Sequence, residues 1–240
     1  MNTRCLSVAV VGANGFVGSQ VCNELEKNKC YKLIRVVRED NLVELIPESD
    51  VVIHAANPAR RFMAEANPEN DFEETAVKTA ELLAYAQNKS FVLISSLSCR
   101  TQMHTNYGRN RRFCELLVLA RGGTVVRLGP MFGGNRKHDI LHDLLMNREI
   151  YVAPETRYAY VNVSWAGERI VKLITSPPGI YEIGARDAIS LADLRDYFKS
   201  KSIFSGVDDT QIPESEKDGP EAKLIFDYAR QELENIKHIK

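Results

Sequence analysis

Short apolar runs alternate along this chain with stretches in which apolar positions recur every three or four residues. Strand-like runs cover 6–11, 32–37, 51–55, 90–95, 124–128 and 180–183. Helical spacing covers 15–28, 70–87, 106–121, 136–147, 164–175, 190–200 and 219–236. Strands that alternate with helices assemble as a parallel sheet with crossover helices on its faces, so the pattern predicts a doubly wound α/β fold. Phe91-Val-Leu-Ile94 is uniformly apolar and predicts a central strand, whereas Lys32 and Arg35 interrupt the second run and place it toward one side.

Beyond about residue 130 the rhythm changes. Gly129-Pro130 and Gly133-Gly134 punctuate the chain, and the later strands shorten. The division expected is a nucleotide-binding core over 1–130 and a mixed segment over 131–240 that completes the sheet and forms a small substrate lobe over its C-terminal edge. Ser, Asp, Pro and Gly mark 201–221 as a loop or mobile excursion before a final helix.

Composition narrows the function. With 31 basic and 32 acidic side chains the net charge is −1, which favours neither nucleic acid nor an anionic membrane as partner. No apolar run approaches the roughly 18 residues needed to cross a bilayer. The first strand begins within a few residues of Met1, leaving no room for a signal peptide, and the five scattered cysteines read as reduced thiols, so a cytoplasmic location is expected.

The first strand runs straight into Gly12-Ala-Asn-Gly15-Phe-Val-Gly18, after which Val17, Val21 and Leu25 take up helical spacing. Strand, glycines and helix in that order predict a Rossmann-like dinucleotide clamp. Gly12 permits the tight turn, Gly15 lets the backbone approach a pyrophosphate, and Gly18 lets helix and strand pack closely. Asn14, Phe16 and Val17 complete the turn and the N–H groups of the helix start, where anions bind. The tip of the second strand chooses between the two nicotinamide cofactors. Arg38 stands there, 20 residues after Gly18, and suits a 2′-phosphate; NADP is therefore favoured, with Glu39 and Asp40 leaving NAD as the alternative.

Further motifs follow: Asp50-Val-Val-Ile-His-Ala-Ala56, Leu93-Ile-Ser95-Ser96, Tyr107-Gly-Arg-Asn-Arg111, Val126-Arg-Leu-Gly-Pro130-Met-Phe-Gly133, Tyr160-Val-Asn-Val163 and Gly179-Ile-Tyr-Glu-Ile-Gly184 before Ser190-Leu-Ala-Asp-Leu194. As a set, from about residue 6 to about 195, they resemble the extended short-chain dehydrogenase/reductase family, which includes nucleotide-sugar epimerases, dehydratases and 4-keto reductases. The resemblance implies that Gly12, Gly15 and Gly18 form the phosphate turn and that Ala55 and Ala56 line the nicotinamide side. It further implies that Ser96 is the catalytic hydroxyl after the fourth strand and Tyr107 the catalytic tyrosine.

Hydride transfer at a C–O bond needs a matched proton transfer at oxygen. A tyrosine does this when a fixed cation stabilises its phenolate, and on a helix residue 111 shares a face with residue 107. The family normally has lysine there; this chain has Arg111, and no lysine occurs between Lys89 and Lys137. Arginine keeps the charge but forks differently. Two outcomes stay open: catalysis with Arg111 contacting tyrosine and cofactor, or a catalytically weak cofactor-binding sensor or scaffold. Ser96 would polarise the substrate oxygen, with Ser98 as a fallback. Cys99 reads as a buried inert thiol or a second acid. His54 reads as a satisfied core histidine. His138 and His142 share a helix face with no third ligand, so no metal site is expected. Arg60-Arg61 and Arg111-Arg112 are short basic pairs open to contact with cofactor or nucleotide-sugar phosphates, although as a class such pairs are usually solvated.

The family's 4,6-dehydratases carry an acidic pair directly after the catalytic Ser/Thr, where this chain has Leu97-Ser98. The reading is an NAD(P)-dependent oxidoreductase or epimerase acting on a keto or hydroxyl carbon of a nucleotide-linked sugar. A reductase of a non-sugar carbonyl remains a third possibility, because substrate loops vary freely on one fold. Dimers of this family often pair the tyrosine-bearing helix, here with Phe113, Leu116, Leu117 and Ala120, although the core is able to claim all four. Homodimer and monomer therefore both stand.

Overall fold

In the computed structural model, which describes residues 5–134, 139–214 and 218–239, the chain runs β1 (Leu6–Val11), α1 (Phe16–Lys27), β2 (Tyr31–Val36), α2 (Leu42–Leu45), β3 (Val51–His54), α3 (Arg61–Ala66), α4 (Pro68–Phe72), α5 (Lys78–Tyr85), β4 (Ser90–Ser96), α6 (Ser98–Thr101), α7 (Asn106–Ala120) and β5 (Thr124–Leu128). It continues through β6 (Met131–Phe132), α8 (Ile140–Leu145), β7 (Arg157–Tyr158), β8 (Val161–Asn162), α9 (Val163–Leu173), β9 (Ile180–Ile183), β10 (Ile189–Ser190), α10 (Leu191–Phe198) and α11 (Leu224–Ile239).

Six strands form one parallel sheet in the order β2-β1-β3-β4-β5-β9, a Rossmann-like doubly wound fold. β2 is an edge strand and β4 an inner one, as their polar and apolar patterns require. The strand order reverses between β1 and β3. Crossover connections leave these two strands in opposite directions and open a crevice at their C-terminal ends, which is where open α/β sheets take ligands. One face of the sheet is sealed by Ala9, Val11, Val36, Val52 and Leu93 packed against Leu82, Leu83, Cys114 and Val118 of the covering helices. Leu25 of α1 is also fully buried; cutting such a side chain back to alanine costs about 2–5 kcal/mol.

The chain divides into two compact units. The first comprises Met1–Leu128 with Ser164–Tyr181, so α9 returns to the sheet-bearing unit. Within it, Gly167 packs against Gln20 of α1, where a β-carbon would stand 3.0 Å from the Gln20 Cβ. The second unit comprises Gly129–Val163 with Glu182–Lys240 and has its own core of Phe132, Leu141, Leu144, Tyr158, Tyr160, Leu191 and Ile225.

Two expectations change and a third is narrowed. The helix read over 70–87 is α4 and α5 joined by a π-helical turn, Glu73–Val77; the added residue per turn carries buried Thr75 and Thr79 inward, polar contacts that hydrophobic spacing does not encode. Of the two readings of 201–221, a loop or a mobile excursion, the loop holds where the segment is described, and it is pinned by hydrogen bonds. Ile150 N donates to Ile203 O at 2.9 Å, Gln211 N donates to Arg157 O at 2.9 Å, and Ser202, Asp209 and Gln211 are buried. Its turn-forming composition reflects an irregular backbone that is nonetheless pinned. The final helix begins at Leu224, not 219, after Ala222 N is held by Asp187 at 2.7 Å.

Candidate active site

The glycine turn closes against the end of β3. Gly12 has φ +85°, a conformation that favours glycine, and a β-carbon there would stand 2.8 Å from Ala56 Cα and 2.9 Å from Ala55 O. At Gly18 a β-carbon would run into the Gly12 carbonyl, and at Gly15 it would stand 3.1 Å from the same oxygen. Gly12 N and Ala13 N both donate to Val36 O, at 2.9 and 3.3 Å, tying the turn to the end of β2. Ala55 N donates to Val11 O at 2.9 Å. Gly12, Gly15, Gly18, Ala55 and Ala56 therefore form one cradle at the β1/β3 switch point, with Asn14, Phe16 and Val17 on the turn that enters α1. Gly15 is the N-cap of α1 and offers no side chain to its N–H groups, an end suited to an anion.

Next to the cradle, both polar atoms of the Asn57 carboxamide are buried without a hydrogen-bond partner. An orphaned amide beside the glycine turn fits a dinucleotide whose ribose or amide groups complete it.

Beyond the end of β2, Arg38 is exposed and its guanidinium lies 3.3 Å from Glu74. Asp40 turns back, its carboxylate accepting from Val37 N at 2.7 Å. Arg35 pairs with Glu26 at 2.8 Å.

Ser96 ends β4. Its hydroxyl accepts from Ser98 N at 3.2 Å and lies 3.3 Å from Ser98 Oγ, so both hydroxyls occupy one corner. Tyr107 opens α7, whose N-terminus is capped by Thr105 Oγ1 accepting from Gly108 N at 2.9 Å. The Glu65 carboxylate accepts from Asn106 N at 2.7 Å and reaches Tyr107 N at 3.4 Å. Gly108 brings this helix start onto the Ser98–Gln102 turn; a β-carbon there would stand 2.9 Å from Ser98 O. This contact sets the backbone of Tyr107 beside the corner that holds Ser96, and the sequence reading did not single out Gly108.

Arg111 is 2% exposed, and its guanidinium carbon lies 4.3 Å from the Tyr107 ring centroid. Nη1 donates to Thr75 Oγ1 at 2.7 Å and Nη2 to Pro58 O. The charge therefore sits on the face of the phenol ring and is anchored on its far side. His54 continues the same buried polar chain: Nε2 meets Thr79 Oγ1 at 3.1 Å, and Thr79 Oγ1 donates to Thr75 O at 2.6 Å. Since the threonine proton is already used, His54 Nε2 is the donor, and Nδ1 accepts from Ala56 N at 3.4 Å. Burial, then the charges of Lys78 and Arg111, push this imidazole down to about 3; the Asn57 side chain pushes weakly the other way without reaching hydrogen-bond geometry.

Behind Ser96 lies a second cluster that sequence reasoning missed. Glu115 of α7 is fully buried and accepts from Ser95 Oγ at 2.8 Å, Cys99 Sγ at 2.8 Å, Arg127 Nε at 2.9 Å and Arg112 Nη1 at 3.0 Å. Burial raises its carboxyl, yet the hydrogen bonds from Arg127, Cys99 and Ser95 outweigh that and hold it below the usual range. Cys99 is pushed up to about 12 by burial and by the Glu115 charge, which suits a structural donor rather than an acid. The available signal was spacing: Arg111, Glu115 and Val118 fall on the inner face of α7 at i, i+4 and i+7.

His142 sits in the described part of α8, in the second unit, whereas His138 lies outside the described residues. Among the described residues no group of three His, Cys, Asp or Glu side chains is arranged to hold a metal, and no helix is long and apolar enough to cross a membrane.

Residues 8–113 match the model of the NAD dependent epimerase/dehydratase family. That stretch holds the glycine turn, the alanines, Ser96 and Tyr107. The family resemblance holds over this stretch, which is less than half of the chain. Solved structures agree in fold. MoeE5 in complex with UDP-glucose and NAD superposes with a TM-score of 0.76 at 16% identity, covering 95% of this chain and 99% of that one. UDP-glucuronic acid 4-epimerase from Bacillus cereus gives 0.76 at 17%, covering 94% and 99%. UDP-N-acetylglucosamine 4-epimerase from Methanobrevibacter ruminantium M1 gives 0.76 at 14%, covering 99% and 100%. Among curated protein sequences, none matches this chain.

Proposed function

We propose that this chain is an NAD(P)-dependent oxidoreductase or epimerase acting on a keto or hydroxyl carbon of a nucleotide-linked sugar. The observation that carries the reading is the turn at the β1/β3 switch point, in which Gly12 closes on Ala55 and Ala56 while Gly15 and Gly18 pack on the Gly12 carbonyl. Its fold neighbours include proteins captured with NAD and with UDP-sugars. A bound nicotinamide dinucleotide supplies the hydride acceptor or donor. The α1 N-terminus takes its pyrophosphate, Ala55 and Ala56 flank its nicotinamide side, and Asn57 satisfies its carboxamide there. Arg38, free to turn from its exposed contact with Glu74, favours the 2′-phosphate of NADP, with NAD as the alternative.

In this reading the Ser96 hydroxyl donates to the substrate oxygen and Tyr107 transfers a proton at that oxygen. Arg111 acts from the ring face, as a cation that fixes the ring. The Ser95–Glu115–Arg127 cluster holds the base of the Ser96 corner. Tyr107→Phe tests the mechanism: turnover of keto-sugars followed at the nicotinamide absorbance is lost while cofactor binding by calorimetry persists. Turnover that survives the change overturns the assignment.

One observation favours a second reading, a cofactor-binding sensor with little catalysis: the Arg111 guanidinium is committed to Thr75 and Pro58, leaving the ribose side to other groups. Tight cofactor binding with no turnover on any sugar would favour it.

We also propose a homodimer. The core does not claim all of the outward residues of α7: Phe113 is 43% and Leu116 51% exposed, and Phe113 meets exposed Phe72 of α4 at 6.1 Å between ring centroids. Three large apolar side chains on one face suit a second copy of the same face.

A further inference from the structure

Cys5 and Cys30 are exposed, whereas Cys22, Cys99 and Cys114 are buried. The two exposed thiols stand at one level of adjacent strands. β1 and β2 run parallel in a register that pairs Leu6 with Tyr31 and Val11 with Val36; one step back in that register sets Cys5 against Cys30. The backbone pairing reaches this level, because Leu6 N donates to Cys30 O at 3.0 Å. Both side chains belong to one face. Ala9 and Val11 of β1 share a cluster with Ile34 and Val36 of β2, and each cysteine lies an even number of residues before its strand's pair. The Cys5 thiol already leans across the gap, its Sγ donating to Lys29 O at 3.2 Å. Adjacent strands lie about 4.8 Å apart, within the roughly 4.4–6.8 Å between Cα atoms that a disulfide spans.

The geometry points to an oxidative modification site: Cys5 and Cys30 form an intrachain disulfide when the protein meets a hydroperoxide. One thiolate attacks a peroxide oxygen, the O–O bond breaks, and a sulfenic acid forms as water leaves. The second thiolate attacks the sulfenic sulfur, the S–S bond forms, and the S–O bond breaks to release a second water. Two thiols lose two electrons and two protons, and hydrogen peroxide is reduced to two waters. The bond closes a ring around the segment that carries Gly12, Gly15, Gly18 and α1. It forms at the end of β1 opposite Gly12, so it braces the cofactor-binding segment without entering the crevice. Nothing in the inference depends on which reaction the crevice performs.

The test treats the whole protein with hydrogen peroxide, alkylates remaining thiols under denaturing conditions, and digests with chymotrypsin, whose cleavage after Phe16 separates Cys5 from Cys22. The expected result is a Cys5 peptide joined to a Cys30 peptide, lighter than their sum by two hydrogens and absent from Cys5→Ser and Cys30→Ser. The oxidised protein melts about 5–10 °C higher, as closing a loop of this length in the unfolded chain implies, and dithiothreitol reverses the gain. Both thiols alkylated after peroxide, separate sulfinic acids, a bond from Cys5 to Cys22, or a link between two molecules would each overturn the proposal.

Discussion

The guanidinium of Arg111 lies over the ring of Tyr107, its carbon 4.3 Å from the centroid, with Nη1 and Nη2 donating to Thr75 and Pro58. A cation so placed is a wedge between the tyrosine, the π-helical turn and the segment after β3. Its removal strands Thr75 Oγ1 and Pro58 O in a buried site and frees the ring. Arg111→Met is expected to cost about 2–4 kcal/mol in urea unfolding. Arg111→Lys keeps the charge but cannot fork to both partners, so it recovers only part of that loss. Because the donors face inward, the cofactor Kd of either variant changes by less than about threefold while turnover falls. A tenfold loss of cofactor affinity would instead put the side chain on the ribose.

At the end of β2, Arg38 makes an exposed contact with Glu74, which the proposed binding of NADP would exchange for its 2′-phosphate. That exposed pair contributes little in water, whereas a charge-assisted bond to phosphate is worth about 1.5–3 kcal/mol. Arg38→Ser should therefore weaken NADP binding by about tenfold or more and leave NAD nearly unchanged, as measured by calorimetric titration of each. Equal losses for both cofactors would remove Arg38 from the binding site.

What the sequence made legible follows from which forces leave a periodic trace. Apolar runs revealed every strand of the main sheet, because each strand turns at least one apolar face to the core even where polar residues such as Lys32 and Arg35 interrupt it. Three glycines and two alanines announced the cradle, because close backbone approach tolerates only small residues. Polar contacts at a distance left no such trace. Glu115 and Arg127 stand on different elements, 12 residues apart, and neither looks unusual until the fold buries one against the other at 2.7 Å. Thr75 and Thr79 sit in a segment that reads as uninterrupted helix, although a π turn brings them to Arg111 and His54. Helix α7 inverts the usual reading, with Arg111 and Glu115 inside and Phe113 and Leu116 outside. The segment through Asp209 carries the composition of a free loop because its partners, Tyr158 at 2.5 Å and Gln211 at 3.0 Å, satisfy polar groups rather than bury apolar ones.

The outward face of α7 carries its own consequence. If Phe72, Phe113 and Leu116 meet their counterparts across a twofold axis, one charge at the centre is repeated on both sides and faces itself. Leu116→Arg should convert a dimer to a monomer in sedimentation velocity at micromolar concentration, with the thermal midpoint of the monomer unchanged by its own side chain, since Leu116 is half exposed. A wild-type chain that sediments as a monomer at every concentration removes the dimer.

His54 makes stability depend on pH in a defined direction. Its folded imidazole is held down to about 3, against about 6.5 in an unfolded chain. Between those values the unfolded chain binds a proton that the folded one does not. Stability is therefore complete above about pH 6.5 and falls as the pH drops toward 3, by up to about 1.4 kcal/mol per pH unit from this one group. Protonation would also place a charge beside Lys78 and Arg111 and would remove the acceptor for Ala56 N. Urea unfolding at pH 7.5, 6.0 and 5.0 should show the wild-type midpoint falling steadily. His54→Gln, although less stable at pH 7.5 for want of the imidazole's contacts, should show a shallower fall over the same range. Parallel curves for the two proteins would mean that His54 takes up no proton on unfolding, and that the buried chain from Thr79 to Arg111 does not hold it neutral.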